Sequence, residues 1–210
     1  MATTRTVIVL AAGRGSRFAA ESHKLAAPFS GGLSVLAATL GQAIASHLHV
    51  VVVTTEPFAD LARQSVAARD VVVMPEVGSD GAPGVGMGHS IGAGVRARPH
   101  AAGWLILPGD MPLVQPSTLV AVARLLDTHA VVYAQHRGKR GHPVGFAPEL
   151  YSELLALDGD EGARRLIARY PAFGCELDDP GVLIDIDTTD DLESARRSAP
   201  AEAVAAGFRP

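Results

Sequence analysis

The chain has 210 residues, 48% hydrophobic and 19% charged, which excludes a disordered protein and points to one folded domain over 1–198 with a frayed tail at 199–210. A formal net charge of −4 excludes a general nucleic-acid binder, so any anion site must be assembled from locally placed Arg and Lys. Cys175 is the only cysteine, which excludes an internal disulfide or a multi-cysteine zinc site; no apolar run reaches membrane-spanning length, and the expected location is cytoplasmic.

Strand-like and helix-like segments alternate. Thr6 to Ala11 reads as a strand apolar on both faces, as in the middle of a parallel sheet. A Gly-, Ser- and Pro-containing loop is expected over 12–32, far longer than an ordinary strand-to-helix turn. Leu33 to Ser46 has helical spacing, His49 to Thr54 is a second buried strand, Pro57 to Ala68 a helix and Asp70 to Met74 a third strand. Five glycines between Gly78 and Gly88 make the next stretch a closely contoured loop, leading into a helix from about His89 to Arg98.

Trp104 to Leu107 is a fourth strand ending in Pro108-Gly109-Asp110-Met111-Pro112, followed by a helix from Pro116 to Asp127 and a fifth strand from Ala130 to Ala134. Simple alternation then stops. Arg137 to His142 reads as a basic glycine loop, followed by an apolar run from Pro143 to Ala147. Short helices are expected near 148–157 and 160–169, strands near Phe173–Leu177 and Val182–Ile186, and a final helix over 189–198. The fold class is α/β: a doubly wound, mostly parallel sheet with helices on both faces.

In such sheets ligands sit beyond the carboxyl ends of the strands. Three features should meet there: the loop after Leu10, the glycine loop after Met74, and Asp110. Ala11, Ala12, Gly13 and Gly15 keep side chains small, so backbone N–H groups can approach a ligand, and Arg17 and Lys24 supply positive charge. A unit-charge contact near 4 Å is worth roughly 4 kcal/mol at an effective dielectric of about 20. A nucleoside triphosphate, with about four negative charges, therefore calls for two cations and a metal rather than one lysine. The loop lacks the Gly-Lys-Ser/Thr of a P-loop and, with Phe18 in the third glycine position, the dinucleotide fingerprint.

Asp110, at the ligand edge, has the chemistry of a magnesium ligand beside phosphate oxygens. Asp185 and Asp187 share one face of the expected last strand, and one of them could complete that metal site. Thr188 or Thr189 is expected to cap the last helix, with Asp190 and Asp191 in its first turn. His47, His49, His100, His129 and His136 are expected to be ordinary surface residues.

Leu-Ala-Ala-Gly-x-Gly-x-Arg, Lys24-Leu25, Pro-Gly-Asp-Met-Pro and Asp-Ile-Asp-Thr together resemble the nucleotidyltransferases of the sugar-nucleotide and molybdenum-cofactor type. Gly86-Met87-Gly88-His89-Ser90-Ile91, Arg140-Gly141-His142-Pro143-Val144 and Gly159-Asp160-x-Gly162-Ala163-Arg164 carry the more specific resemblance to molybdenum cofactor cytidylyltransferases, over residues 6 to 195. The resemblance implies a Rossmann-like nucleotidyltransferase fold and transfer of CMP from CTP to the terminal phosphate of molybdopterin, with Mg2+ as cofactor and a molybdoenzyme or its maturation factor as a possible partner. Other triphosphates with a sugar phosphate or another phosphorylated acceptor, and a non-catalytic accessory protein, are the alternatives.

By the same resemblance Arg17, Lys24 and Asp110 would be catalytic. Leu10, Ala11, Ala12, Gly13, Arg14, Gly15, Glu76, Gly86, Met87 and Ser90 would bind the nucleotide. His89, Arg140, His142, Arg164 and Asp187 would face the acceptor, and Asp110 and Asp185 the metal. Ala12 stands where guanylyltransferases of this resemblance usually have Gly, which implies a pyrimidine base. Lys24 follows Arg17 by seven positions, a spacing that resembles the sugar-nucleotide branch.

Overall fold

The computed structural model describes residues 4–13, 18, 23–75, 86–159 and 161–199. In chain order, β1 (Thr6–Ala11) precedes a 3-10 turn (Lys24–Ala26), a small ribbon of β2 (Pro28–Ser30) and β3 (Leu33–Ser34), and α1 (Val35–Ala45). Strands and helices then alternate through β4 (His49–Thr55), α2 (Glu56–Ser65), β5 (Val71–Met74), α3 (Met87–Ala97), β6 (Trp104–Pro108) and α4 (Pro116–Leu125). A hairpin of β7 (Val131–His136) and β8 (Lys139–Phe146) follows, then α5 (Tyr151–Leu155), α6 (Arg164–Arg169), β9 (Ala172–Glu176) and α7 (Thr189–Ser198).

The main sheet has seven strands in the order β5-β4-β1-β6-β8-β7-β9. Every pairing is parallel except the two made by β8, which runs against β6 and β7. The expected doubly wound, mostly parallel α/β class is therefore the class observed. Alternation along β1 divides the core. Val7 and Val9 pack with Val52, Leu105 and Leu107 against Leu36 and Leu40 of α1, Phe58 of α2 and Leu119 of α4. Ile8 packs with Val51, Val53 and Ile106 against Ile91 of α3, Leu154 of α5 and Leu166 of α6. A third cluster joins Phe29 and Val35 to Ile186 and to Leu192 of α7.

Three expectations are corrected. The stretch 12–32 is not all loop, since it holds the Lys24 turn and β2. The basic loop 137–142 is the tip of the β7–β8 hairpin and the start of β8. Arg137 and Gly138 both have positive φ, 51° and 73°, the backbone that a two-residue hairpin turn requires. Because β8 is antiparallel, with Val144 opposite Ile106, its first residues run beside the carboxyl end of β6.

The expected strand over 182–186 is instead a 3-10 turn, Pro180–Leu183, followed by irregular chain. Buried Asp179 causes this: its carboxylate accepts from Gly181 N–H at 3.0 Å, Gln115 N–H at 2.9 Å and the Thr118 hydroxyl at 2.6 Å. Proline at the first turn and a side-chain cap favour helical winding over extension. Thr188 does cap α7, in a reciprocal box with Asp191.

His49 and His129 depart from the surface role expected of them. His49 joins buried Asp70, which is also paired with Arg98, at the end of the sheet away from the ligand edge. His129 lies against Phe173, with ring centroids 4.2 Å apart.

Candidate active site

The carboxyl ends of β1 and β6 are tied together at their ligand edge. Gly109 N–H donates to the Leu10 carbonyl at 2.8 Å, and a Cβ on Gly109 would stand 2.9 Å from that same oxygen, so only glycine allows the approach. Thr39 of α1 donates its hydroxyl to the Gly109 carbonyl at 3.0 Å. The Asp110 carbonyl in turn accepts from Ile186 N–H at 3.0 Å. With the Ile186 side chain fully buried, this bond holds the Asp185–Asp187 segment alongside the Asp110 turn.

Lys24 is placed by the 3-10 turn that begins at it. His23 fixes that turn. Its Nδ1 accepts from Leu25 N–H at 3.2 Å, which leaves Nε2 as the donor to the Gly13 carbonyl at 3.0 Å. His23 also packs on Phe58 of α2, with ring centroids 4.7 Å apart. The Lys24 ammonium then lies between two carboxylates, donating to Asp110 Oδ2 at 2.6 Å and Asp187 Oδ1 at 2.7 Å. The three side chains are 12, 16 and 20% exposed, so these are charge-assisted bonds in a mostly dry setting. Burial pulls the Lys24 pKa down, but Asp110, with Asp187 adding to it, outweighs burial and holds it above its ordinary 10.5. The other Asp110 oxygen, Oδ1, is buried and has no hydrogen-bond partner among the described residues.

A cavity of about 440 Å³ lies between α3, the sheet and α6. Ile91, Ile106, Val144, Phe146 and Ile167 make its apolar walls, and Arg140, His142 and Arg164 supply basic groups. Arg140 is held over the Tyr133 ring, 4.0 Å from its centroid. Burial holds the His142 pKa below its ordinary 6.5, against the Ile106 carbonyl and the Asp110 and Asp185 carboxylates, which raise it. Its Nδ1 is buried and without a partner among the described residues. The influence of Asp110 on His142 joins the cavity electrostatically to the lysine–carboxylate cluster.

The structure thus gathers two groups of the expected residues: Lys24, Asp110 and Asp187 in one, and Met87, Arg140, His142 and Arg164 in the other. Met87, expected at the nucleotide, lines the same cavity as the residues expected at the acceptor. Asp185, expected at the metal, is exposed and acts on His142, whereas Asp187, expected at the acceptor, meets Lys24. Leu10 and Ala11 close β1 at the ligand edge, with Ala12 following, and an added Cβ on Gly13 would meet nothing within 4 Å among the described residues. Gly86 caps α3, Ser90 is buried in its first turns, and His89 points to an exposed position outside the cavity lining. Arg14, Gly15, Arg17 and Glu76 lie outside the described residues. Sequence reasoning passed over His23 and Thr39. Adjacency to Lys24 was the available signal for His23, while a threonine within a helical pattern gives none.

Divalent metal fits what is present. Two carboxylates with a buried, unpartnered oxygen suit Mg2+, which takes one or two protein carboxylates and completes its shell with phosphates and water. A dedicated cage is not needed. No group of three or more His, Cys, Asp or Glu side chains arranged for a metal occurs among the described residues.

A mostly parallel sheet delivering Gly13, a lysine and paired aspartates to one edge has the arrangement of the nucleotidyltransferase class. The chain belongs to the family of MobA-like NTP transferase domains, whose model matches residues 7–173. The purine catabolism protein PucB of Bacillus subtilis (strain 168) is 34% identical over 119 residues, covering 54% of this chain and 57% of that protein. The chain thus aligns with little more than half of that relative's length. Rv0371c from Mycobacterium tuberculosis H37Rv is 28% identical with a TM-score of 0.76, covering 94% of this chain and 99% of that one. Its manganese complex is 27% identical with a TM-score of 0.74, covering 94% and 100%. A nucleotidyl transferase from Methanothermobacter thermautotroptrophicus is 27% identical with a TM-score of 0.75, covering 93% and 97%. The chain is accordingly a nucleotidyltransferase. No helix among the described residues is long and apolar enough to cross a membrane.

Proposed function

We propose that the protein transfers CMP from CTP to the terminal phosphate of molybdopterin and releases pyrophosphate. The observation that carries this reading is the Lys24 ammonium held between Asp110 and Asp187, with Asp110 Oδ1 buried and unpartnered. A cation-handling carboxylate pair at the ligand edge of the sheet suits charge neutralisation at a triphosphate. Asp110 and Asp187 would hold the magnesium, so the aspartates exchange the roles expected of them, and Asp185 belongs with His142 on the acceptor side.

An oxygen of the acceptor phosphate attacks the α-phosphorus of CTP. The new P–O bond forms as the bond to the β-phosphate oxygen breaks, and pyrophosphate leaves with that electron pair. The attacking oxygen is already ionised, since the second pKa of a phosphate monoester is about 6, so no general base is required. Lys24 neutralises the triphosphate, and Arg17 is assigned the same task. Magnesium, when bound, supplies Lewis-acid neutralisation of the reacting phosphate. Leu10, Ala11, Ala12 and Gly13 line the nucleotide side, with Gly86 and Ser90 at its border; Arg14, Gly15 and Glu76, outside the described residues, are assigned to the nucleotide as well. The Ala12 methyl narrows the space left for a purine.

Met87, Arg140, His142 and Arg164 receive the acceptor, while His89, exposed and outside the cavity lining, is left without a role in it. The cavity walls favour a flat ring over a sugar: buried hydroxyls left without partners cost about 1–3 kcal/mol each, and the walls are mostly apolar. His142, kept neutral by burial, offers Nδ1 to a ring donor. Pyrophosphate release with each of the four triphosphates, against molybdopterin and a panel of sugar phosphates, tests the reading. CTP with molybdopterin is the pair expected to turn over fastest. Tight CTP binding without transfer to any acceptor would favour an accessory role in molybdoenzyme maturation.

A further inference from the structure

We infer that Lys24 is a resident counter-cation: its ammonium holds the position between Asp110 and Asp187 until a triphosphate draws it away, so that metal and nucleotide enter as a coupled pair. The inference rests on the reading of Asp110 and Asp187 as metal ligands and goes beyond it, because it concerns what the lysine does before the metal arrives.

Three observations carry it. First, Nζ donates to both carboxylates at once, at 2.6 and 2.7 Å, so it stands in the space a shared cation would use. A divalent ion at 2.0–2.1 Å from oxygens of the same two carboxylates would lie against the ammonium, and the two positive charges would repel strongly in this largely dry site. Second, the backbone at Lys24 is pinned. His23 bonds to Leu25 N–H and the Gly13 carbonyl, and Ala27 N–H closes the turn on the Lys24 carbonyl at 3.2 Å. Exchange must therefore come from the flexible four-carbon stem, not from movement of the turn. Third, the ammonium serves the aspartates incompletely, since Asp110 Oδ1 remains buried and without a partner among the described residues.

Coupling follows from where the displaced ammonium can go. The Lys24 side chain is only 12% exposed, so without nucleotide the charge would leave two carboxylates for no comparable acceptor among the described residues. The pinned turn hangs from Gly13, where an added Cβ would meet nothing within 4 Å among the described residues, and phosphate oxygens bound beside Gly13 would offer the ammonium new partners. By linkage, whatever factor the triphosphate adds to metal affinity, the metal must add to triphosphate affinity.

The chain contains two lysines, Lys24 and Lys139, so 15N-lysine labelling gives two ammonium sites, with Lys139 on the hairpin as internal control. The inference expects the Lys24 signal to stay in place with Mg2+ alone and to move when Mg2+ and a non-hydrolysable CTP analogue are added together. In parallel, Mn2+ binding is followed by the paramagnetic resonance of the free ion, without nucleotide. Lys24→Met keeps the stem and removes the charge; it should bind Mn2+ about tenfold more tightly than the native protein and show a smaller gain on adding the analogue. Equal or weaker Mn2+ binding by Lys24→Met, or saturation of the native site by Mg2+ alone with Lys24 unmoved, would overturn the inference. If Lys24→Met does not fold, the labelling experiment on the native chain decides. Mn2+ binding that survives in Asp110→Asn would instead remove the metal reading itself, and this inference with it.

Discussion

Asp110 has a carboxylate whose two oxygens do different things: Oδ2 accepts from Lys24 at 2.6 Å and Oδ1 is buried with no partner among the described residues. Asparagine keeps the shape and removes the charge. Asp110→Asn is expected to lower nucleotidyl transfer by about 100-fold or more, the scale of removing one transition-state charge contact, while circular dichroism and the melting profile stay close to native because Lys24 keeps Asp187. Activity within a few fold of native would remove Asp110 from the reaction. Ala12 carries a prediction of a different kind. If its methyl group excludes a purine, Ala12→Gly raises the relative use of GTP over CTP, read from kcat/KM with both triphosphates. An unchanged ratio would place base selection elsewhere.

At this scale the sequence was half legible. Residue type and position singled out Lys24 as a phosphate cation and Asp110 as a metal ligand, but that the two touch was not legible and is what the structure adds. The choice between Asp185 and Asp187 was not legible. Both flank buried Ile186, and what separates them is the Ile186 N–H bond to the Asp110 carbonyl, a contact between segments 76 residues apart that no local pattern encodes. His23 was missed because its task is purely geometric: it holds a turn.

Among the elements, β1, β4 and β6 were read to within a residue or so because they are buried on both faces and so apolar throughout. The β7–β8 hairpin was read as a loop at its tip because its first residues are basic and glycine-containing, a composition that describes exposure rather than backbone shape. A strand was read over Val182–Ile186 from its apolar run, while the Pro180–Leu183 turn that takes up its start owes its winding to Asp179 and its bonds to Gln115 and Thr118, far off in sequence. These two misread elements meet at Gly141, where an added Cβ would lie 2.0 Å from the Val182 carbonyl oxygen. Gly141→Ala should therefore cost about 1–3 kcal/mol in denaturant unfolding and lower transfer, since the strain falls on the segment leading to Asp185 and Asp187. Gly13→Ala is the counterpart: with nothing within 4 Å of its Cβ among the described residues, stability should change by less than about 0.5 kcal/mol. Its effect should instead be a raised KM for the triphosphate, if phosphates approach the backbone there. A destabilised Gly13→Ala with unchanged KM would contradict that placement.

Over the whole molecule, the sheet order brings one end of β1, β6 and β8 together, so that Gly13, the Asp110 turn and the basic hairpin share an edge. Most of the glycine loop after Met74, expected at the same edge, lies outside the described residues. The meeting of the end of β1 with Asp110 was legible because it follows from strand–helix alternation and the general rule for ligand position in such sheets. The antiparallel course of β8 was not, although it is what carries Arg140 and His142 to that edge. The central claim is that this edge transfers a nucleotidyl group rather than hydrolysing a triphosphate, and the most direct test follows the label of α-32P-CTP with Mg2+ and molybdopterin. The label should pass to the acceptor in step with pyrophosphate release, and transfer should stop when the metal is chelated and return with Mn2+. Label recovered as free CMP, or transfer that persists without divalent metal, would contradict it.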